Sequence, residues 1–237
     1  MFLDKFHQVH DGRISISAEQ ASHFAKQVAG DYNPIHNPDA RRFCVPGDLL
    51  FALVLSKFGL SQCMTFHFRS MVGAEVALDF QAHDDGSICV TDEQGKVYLE
   101  VERSGDLTHD EDVIAAFTRR YVAFSGKNFP HYLKPLMQTH GVMFNPQRPL
   151  VIYDSMGFSL DRLDVEDPGL ELEDSSFEVL GKRGEALLEF GLTACGQNIG
   201  RGSKKLVVSG LRDYDTAAMD EIVCEFYRLK AAYEAAV

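Results

Sequence analysis

Every position from 49 to 55 is apolar, Leu-Leu-Phe-Ala-Leu-Val-Leu, with Pro46-Gly47-Asp48 ahead of the run and Phe58-Gly59 behind it. Proline at a helix start and glycine at its end are the expected punctuation. A helix apolar on every side must be buried on every side. Periodicity alone leaves a central β-strand over residues 49–55 as the alternative. Upstream, Ser17-x-x-Gln20 has the form of a capping box and opens a helix carrying Ala21, Phe24, Ala25 and Val28 on one side. Downstream the period changes to two: Met64-Phe66-Phe68, Ala74-Val76-Leu78-Phe80, Ile88-Val90 and Val97-Leu99-Val101 alternate with polar residues. Asp84-Asp85-Gly86 and Glu93-Gln94-Gly95-Lys96 supply turns between them.

The same order returns after residue 108. Thr108-x-x-Glu111 predicts the start of a helix through Val113, Ile114, Phe117 and Tyr121, and residues 149–158 parallel the run at 46–59. Strand-like segments follow at Leu170-Leu172, Phe177-Val179, 186–192 and Leu206-Val207-Val208. From Tyr214 onward, Met219, Ile222, Val223, Phe226, Leu229 and Tyr233 recur at helical spacing, which predicts an amphipathic tail helix packed on the exterior of a sheet. The chain therefore divides into residues 1–107, 108–213 and 214–237, the first two being similar units.

Composition narrows the class. The 237 residues are 45% hydrophobic and 24% charged, ordinary for a folded domain that buries a substantial core. A net charge of −12 and a pI near 5.1 speak against nonspecific binding to nucleic acid or anionic membrane, both polyanions. Cys44, Cys63, Cys89, Cys195 and Cys224 form no CxxC pair, so free thiols in a reducing compartment are expected. The first residues carry no apolar signal-peptide core, and a cytoplasmic location is the expectation. No Walker, GxSxG or HExxH pattern occurs. His7-x-x-His10 lacks further ligands, so no metal is expected. Gly196-x-x-x-Gly200-x-Gly202 reads as a turn, and Arg201 with Lys204-Lys205 reads as ordinary surface.

Candidate chemistry concentrates in residues 29–36, Ala-Gly-Asp-Tyr-Asn-Pro-Ile-His. Gly30 accepts positive φ and Pro34 fixes its own φ, so the backbone is prescribed there. A turn broken at Pro34 can aim Asp31 and His36 into one cleft, where one group takes a proton and the other delivers one. Gly30-Asp31-x-Asn33-Pro34-Ile35-His36 is similar to the signature of the MaoC-like, (R)-specific enoyl-thioester hydratases of the hot-dog superfamily. The resemblance implies an α+β double hot-dog, two fused units in which an antiparallel sheet wraps a central helix. It implies an Asp31–His36 acid/base pair, with Gly30, Asn33 and Pro34 shaping the turn. The reaction implied is addition of water to a trans-2-enoyl thioester, or its reverse. An acyl-coenzyme A or acyl-carrier thioester is the substrate, and no separate cofactor is required.

The family's oxyanion donor is a glycine at the start of the buried helix, which by position is Gly47 here. Asp48 beside it would set a negative charge against a developing oxyanion unless it turns away to cap the helix. Arg41 and Arg42 are candidates for substrate phosphates. Ser125-Gly126-Lys127-Asn128-Phe129-Pro130-His131 resembles a degenerate copy of the signature, lacking its acid. A non-catalytic acyl binder and an acyl-thioester hydrolase remain as alternatives, and either a monomer or a homodimer is compatible with fused halves.

Overall fold

The computed structural model describes residues 2–236. A short ribbon of β1 (Gln8–His10) and β2 (Arg13–Ser15) leads into α1 (Ala18–Phe24). Ser17 caps α1 reciprocally: its hydroxyl accepts the Gln20 N–H at 3.2 Å, and the Gln20 side-chain oxygen accepts the Ser17 N–H at 3.0 Å. The apolar run forms α2 (Gly47–Phe58), a helix and not the alternative strand, buried from Asp48 through Leu55. The first unit continues with β3 (Leu60–Phe68), β4 (Asp79–Ala82), β5 (Ile88–Thr91) and β6 (Val97–Thr108). The second comprises α3 (Glu111–Ala123), α4 (Leu133–Thr139), β7 (Val142–Met143), β8 (Leu150–Leu160), β9 (Pro168–Leu180), β10 (Arg183–Ala194) and β11 (Gln197–Ser209). A last bridge, β12 (Arg212–Asp213), pairs with β7 before α5 (Thr216–Ala236).

Eight strands make one antiparallel sheet in the order β4-β5-β6-β3-β8-β11-β10-β9. The order repeats with inversion about the β3–β8 pair: β6 neighbours β3 as β11 neighbours β8, and β4 and β9 are the two edges. This is the pattern of two hot-dog units fused through their inner strands, and the fold is a double hot-dog. Phe51 of α2 lies 4.7 Å from Phe66 of β3 and stacks at 4.5 Å on Tyr121 of α3, so both helices share one core against the sheet.

Four expectations are corrected. Residues 149–158 are not a second buried helix but most of β8, in which Met156, Phe158 and Leu160 are buried at the two-residue period of a strand. It is α3 that lies on this half of the sheet, with Phe117 against Phe158 at 4.9 Å. The cap of α3 is Asp110, whose carboxylate accepts the N–H groups of Asp112 and Val113, and not Thr108. The strand expected over 74–80 begins only at Asp79, because Glu75 takes a left-handed φ of 59° and donates its N–H to Ile16. Finally, Gly196 does lie in a turn, but Gly200 and Gly202 are inside β11.

Candidate active site

The signature occupies the break between α1 and α2. After Phe24 the helix widens into a π turn, Ala25–Ala29, which ends at Gly30 with φ 65°. The Asp31 N–H then reaches back to the Ala25 carbonyl at 2.8 Å, which fixes the carboxylate's origin. Asn33 works twice: its side-chain oxygen accepts the Ile35 N–H at 3.3 Å, capping the turn Pro34–His36, and its amide donates to Val151 O of β8 at 3.0 Å. The loop is thereby tied to the other unit's inner strand.

Within this frame Asp31 Oδ1 accepts the Asn33 N–H at 2.8 Å, and Oδ2 faces His36 Nε2 at 3.6 Å. The imidazole's other nitrogen, Nδ1, lies 2.7 Å from Cys44 O. A carbonyl only accepts, so Nδ1 carries the hydrogen, and in the neutral ring Nε2 turns its lone pair toward Asp31. A gap of 3.6 Å exceeds a direct hydrogen bond but suits one water touching both groups. Burial pushes the Asp31 carboxyl above the usual carboxylate range, and the neighbouring His36 and the Asn33 N–H oppose that shift.

Both groups line a cavity of about 540 Å³, otherwise walled mainly by apolar side chains such as Leu50, Val72, Leu133 and Phe144. Cys44 also borders it, but burial pushes its thiol up to about 11, which removes it as a nucleophile near neutrality.

Gly47 opens α2 on the same wall. Among the described residues, the N–H groups of Gly47 and Asp48 meet no acceptor, while those of Leu49 and Leu50 turn to Pro46 O. A Cβ at Gly47 would stand 2.9 Å from Phe68 Cε1 and 3.3 Å from Tyr153 Cδ2, so glycine keeps this approach clear. The Asp48 side chain turns away from the cavity. It is 1% exposed, accepts the Ser125 hydroxyl at 3.0 Å and lies 3.4 Å from Lys204 Nζ.

That lysine overturns the surface reading for Lys204 alone, since Arg201 is exposed and Lys205 half-exposed. Lys204 is fully buried in β11, while Lys205, on the opposite face of the strand, pairs with Glu185. The Lys204 ammonium donates to Tyr121 O at 3.0 Å and Ser125 Oγ at 2.8 Å, and it lies 4.4 Å from the Tyr121 ring centroid. Burial lowers its pKa and Asp48 opposes the fall. The chain of donors continues outward: Tyr153 donates to Ser125 Oγ at 2.6 Å, and Asn128 donates to the Tyr153 oxygen at 2.8 Å. Ser125 and Asn128 belong to the degenerate copy of the signature. Lys204 shares parity with Leu206 and Val208, and that alternation was the available sign of its inward direction.

The remaining candidates lie elsewhere. Arg41 and Arg42 are exposed and border a separate groove of about 420 Å³ with Arg148; it shares the walls Pro34 and Pro149 with the cavity. Lys127 is exposed, and Gly126 packs so tightly on the first copy that a Cβ there would stand 2.6 Å from Ala29 O and 2.8 Å from Gly30 O, which brings the two copies into backbone contact. His7 and His10 turn to separate partners, Leu3 O and Gln8. The tail helix does not sit on the sheet exterior. It forms a wall of the cavity through Ala218, Ile222, Phe226 and Leu229.

Residues 1–217 match the family described as "Protein of unknown function (DUF3581)". No curated protein matches. Among solved structures, the chain is similar to an acyl-CoA thioesterase II TesB2 from Mycobacterium marinum at 12% identity. That match covers 91% of this chain and 99% of that one at a TM-score of 0.43. A structure described as a MaoC-like dehydratase aligns at 10% identity, covering 86% and 98% at a TM-score of 0.43. A hot-dog protein of unknown function from Alicyclobacillus acidocaldarius aligns at 9% identity, covering 88% and 98% at 0.44.

Proposed function

We propose that this chain, which belongs to the DUF3581 family, is an acyl-thioester hydratase or dehydratase working through Asp31 and His36. The observation that carries the reading is the 3.6 Å approach of Asp31 Oδ2 and His36 Nε2 on the wall of an otherwise largely apolar cavity. Water touching both atoms from the cavity side adds its oxygen to C3 of a trans-2-enoyl thioester. One member of the pair takes the water's proton and the other gives its own to C2, so the pair ends with the proton count it began with. A pair holding a single proton has both the acid and the base the step requires, whichever atom carries it. Elimination of water from a 3-hydroxyacyl thioester is the same path reversed.

Charge that grows on the thioester oxygen is met by the free N–H groups at the start of α2, Gly47 first. Asp48 does not spoil this site, because its carboxylate points inward and Lys204 balances its charge. In this reading the second unit contributes the counter-ion through β11 and the Ser125–Tyr153–Asn128 chain that steadies the cavity wall. The groove of Arg41, Arg42 and Arg148 receives a phosphate of the pantetheine carrier, whether coenzyme A or a carrier protein.

The test is loss of enoyl-thioester absorbance on mixing with trans-2-enoyl-CoA or its carrier-protein equivalent. Asp31→Asn and His36→Gln are each expected to lower the rate by roughly 10²–10⁴. Thiol release from a saturated acyl thioester without hydration would replace the reading by hydrolysis. Thermal stabilisation by acyl thioesters with neither reaction would leave a binding protein.

A further inference from the structure

The tail helix α5 completes the cavity. Ala218, Ile222, Phe226 and Leu229 follow at intervals of four, four and three residues, one stripe of a helix, and all four border the same cavity as Asp31 and His36. Phe226 is only 8% exposed and is gripped by both copies of the signature. Its ring lies 5.6 Å from Tyr32, the residue between Asp31 and Asn33, and 5.8 Å from Phe129 of the degenerate copy. Tyr233 adds a second contact to Tyr32 at 6.3 Å, and the Lys134–Asp220 ion pair at 3.1 Å holds the helix to α4. At its start, Asp215 caps the helix through the Ala218 N–H.

We propose that this stripe is the seat of the substrate's aliphatic acyl tail, and that Phe226 is the specificity-determining residue setting how long a tail is accepted. The inference rests on the thioester reading above and extends it. The wall that α5 supplies comes neither from the sheet nor from α2, but from a segment that follows both units and packs on Tyr32 of the loop. A chain entering beside Asp31 and His36 meets, on α5, the apolar stripe of Ala218, Ile222, Phe226 and Leu229, with the carboxylates of Glu221 and Glu225 bordering the cavity beside it. Phe226 is the bulkiest of these and the one whose displacement is resisted from two sides. Each methylene seated on such a surface strengthens binding about fourfold until the wall is reached.

The experiment measures thermal stabilisation of the full chain by saturated acyl-CoAs from butanoyl to hexadecanoyl, which bind but cannot be hydrated. Stabilisation of the wild type is expected to rise with tail length and then level off. In Phe226→Ala the plateau should move to longer tails, with kcat/KM for enoyl-CoAs shifting the same way. Ile222→Ala serves as the second variant should Phe226→Ala fold poorly, and Lys230→Ala, at an exposed residue of α5 that does not border the cavity, should leave the profile unchanged. A folded Phe226→Ala or Ile222→Ala with an unmoved plateau overturns the assignment of α5 while sparing the catalytic reading. Absence of any stabilisation of the wild type by acyl-CoA or by an acylated carrier protein overturns both.

Discussion

Asp31 stands between two opposing demands: burial favours its neutral form, while His36 and the Asn33 N–H favour its charged one. Burial is the larger influence, so native Asp31 binds its proton more tightly than it would in an unfolded chain. Stability from this group is therefore present at low pH and lost as pH rises through its raised value. Asp31→Asn should remove that cost at neutral pH, since the amide oxygen still accepts the Asn33 N–H and the amide nitrogen faces the His36 lone pair. Its Tm is expected to exceed the wild type's at pH 7, by about 2–4 °C for each kcal/mol recovered. The advantage should shrink toward pH 4, and scanning calorimetry across that range checks it. A stabilised but inactive variant is the usual mark of a residue kept for chemistry.

Local elements were legible where local rules governed them. The Ser17–Gln20 box is formed as its spacing implied, because a capping box involves only residues three apart. Ser17→Ala should cost about 0.5–2 kcal/mol in urea unfolding. Loosening the first turn of α1 should leave the proposed hydration rate near the wild type's, because the loop's position is fixed at the other end by Gly30 and Asn33. The helix at residues 47–58 was legible for the same reason, its punctuation lying within it. The segment at 149–158 was misread because proline followed by apolar residues opens strands as readily as helices. Its place between β3 and β11 is a matter of long-range pairing.

At the scale of the whole molecule, the two units are joined by charge as well as by backbone pairing. Lys204 of β11 lies against Asp48 at the start of α2, with Ser125 between them and both groups out of water. Removing one partner strands a buried charge, so Lys204→Met should destabilise the chain by about 3–5 kcal/mol in denaturant titration. Adding Asp48→Asn should recover most of that loss, since the carboxamide still accepts the Ser125 hydroxyl. If the single and double variants are equally unstable, the ion pair is not what joins the halves there. Among the described residues no helix is long and apolar enough to cross a membrane, α5 included.

The sequence by itself determined the loop at residues 30–36, the buried helix and most of the alternating strands. Each depends on residues that meet within a turn or two of one another. Tertiary structure decided what those pieces face. The pairing of Lys204 with Asp48, the meeting of Gly30 with Gly126 and the seating of α5 against Tyr32 and Phe129 all join residues far apart in the chain. Such contacts depend on how helices and strands stack, and hydrophobic periodicity states that a face is covered without stating by what.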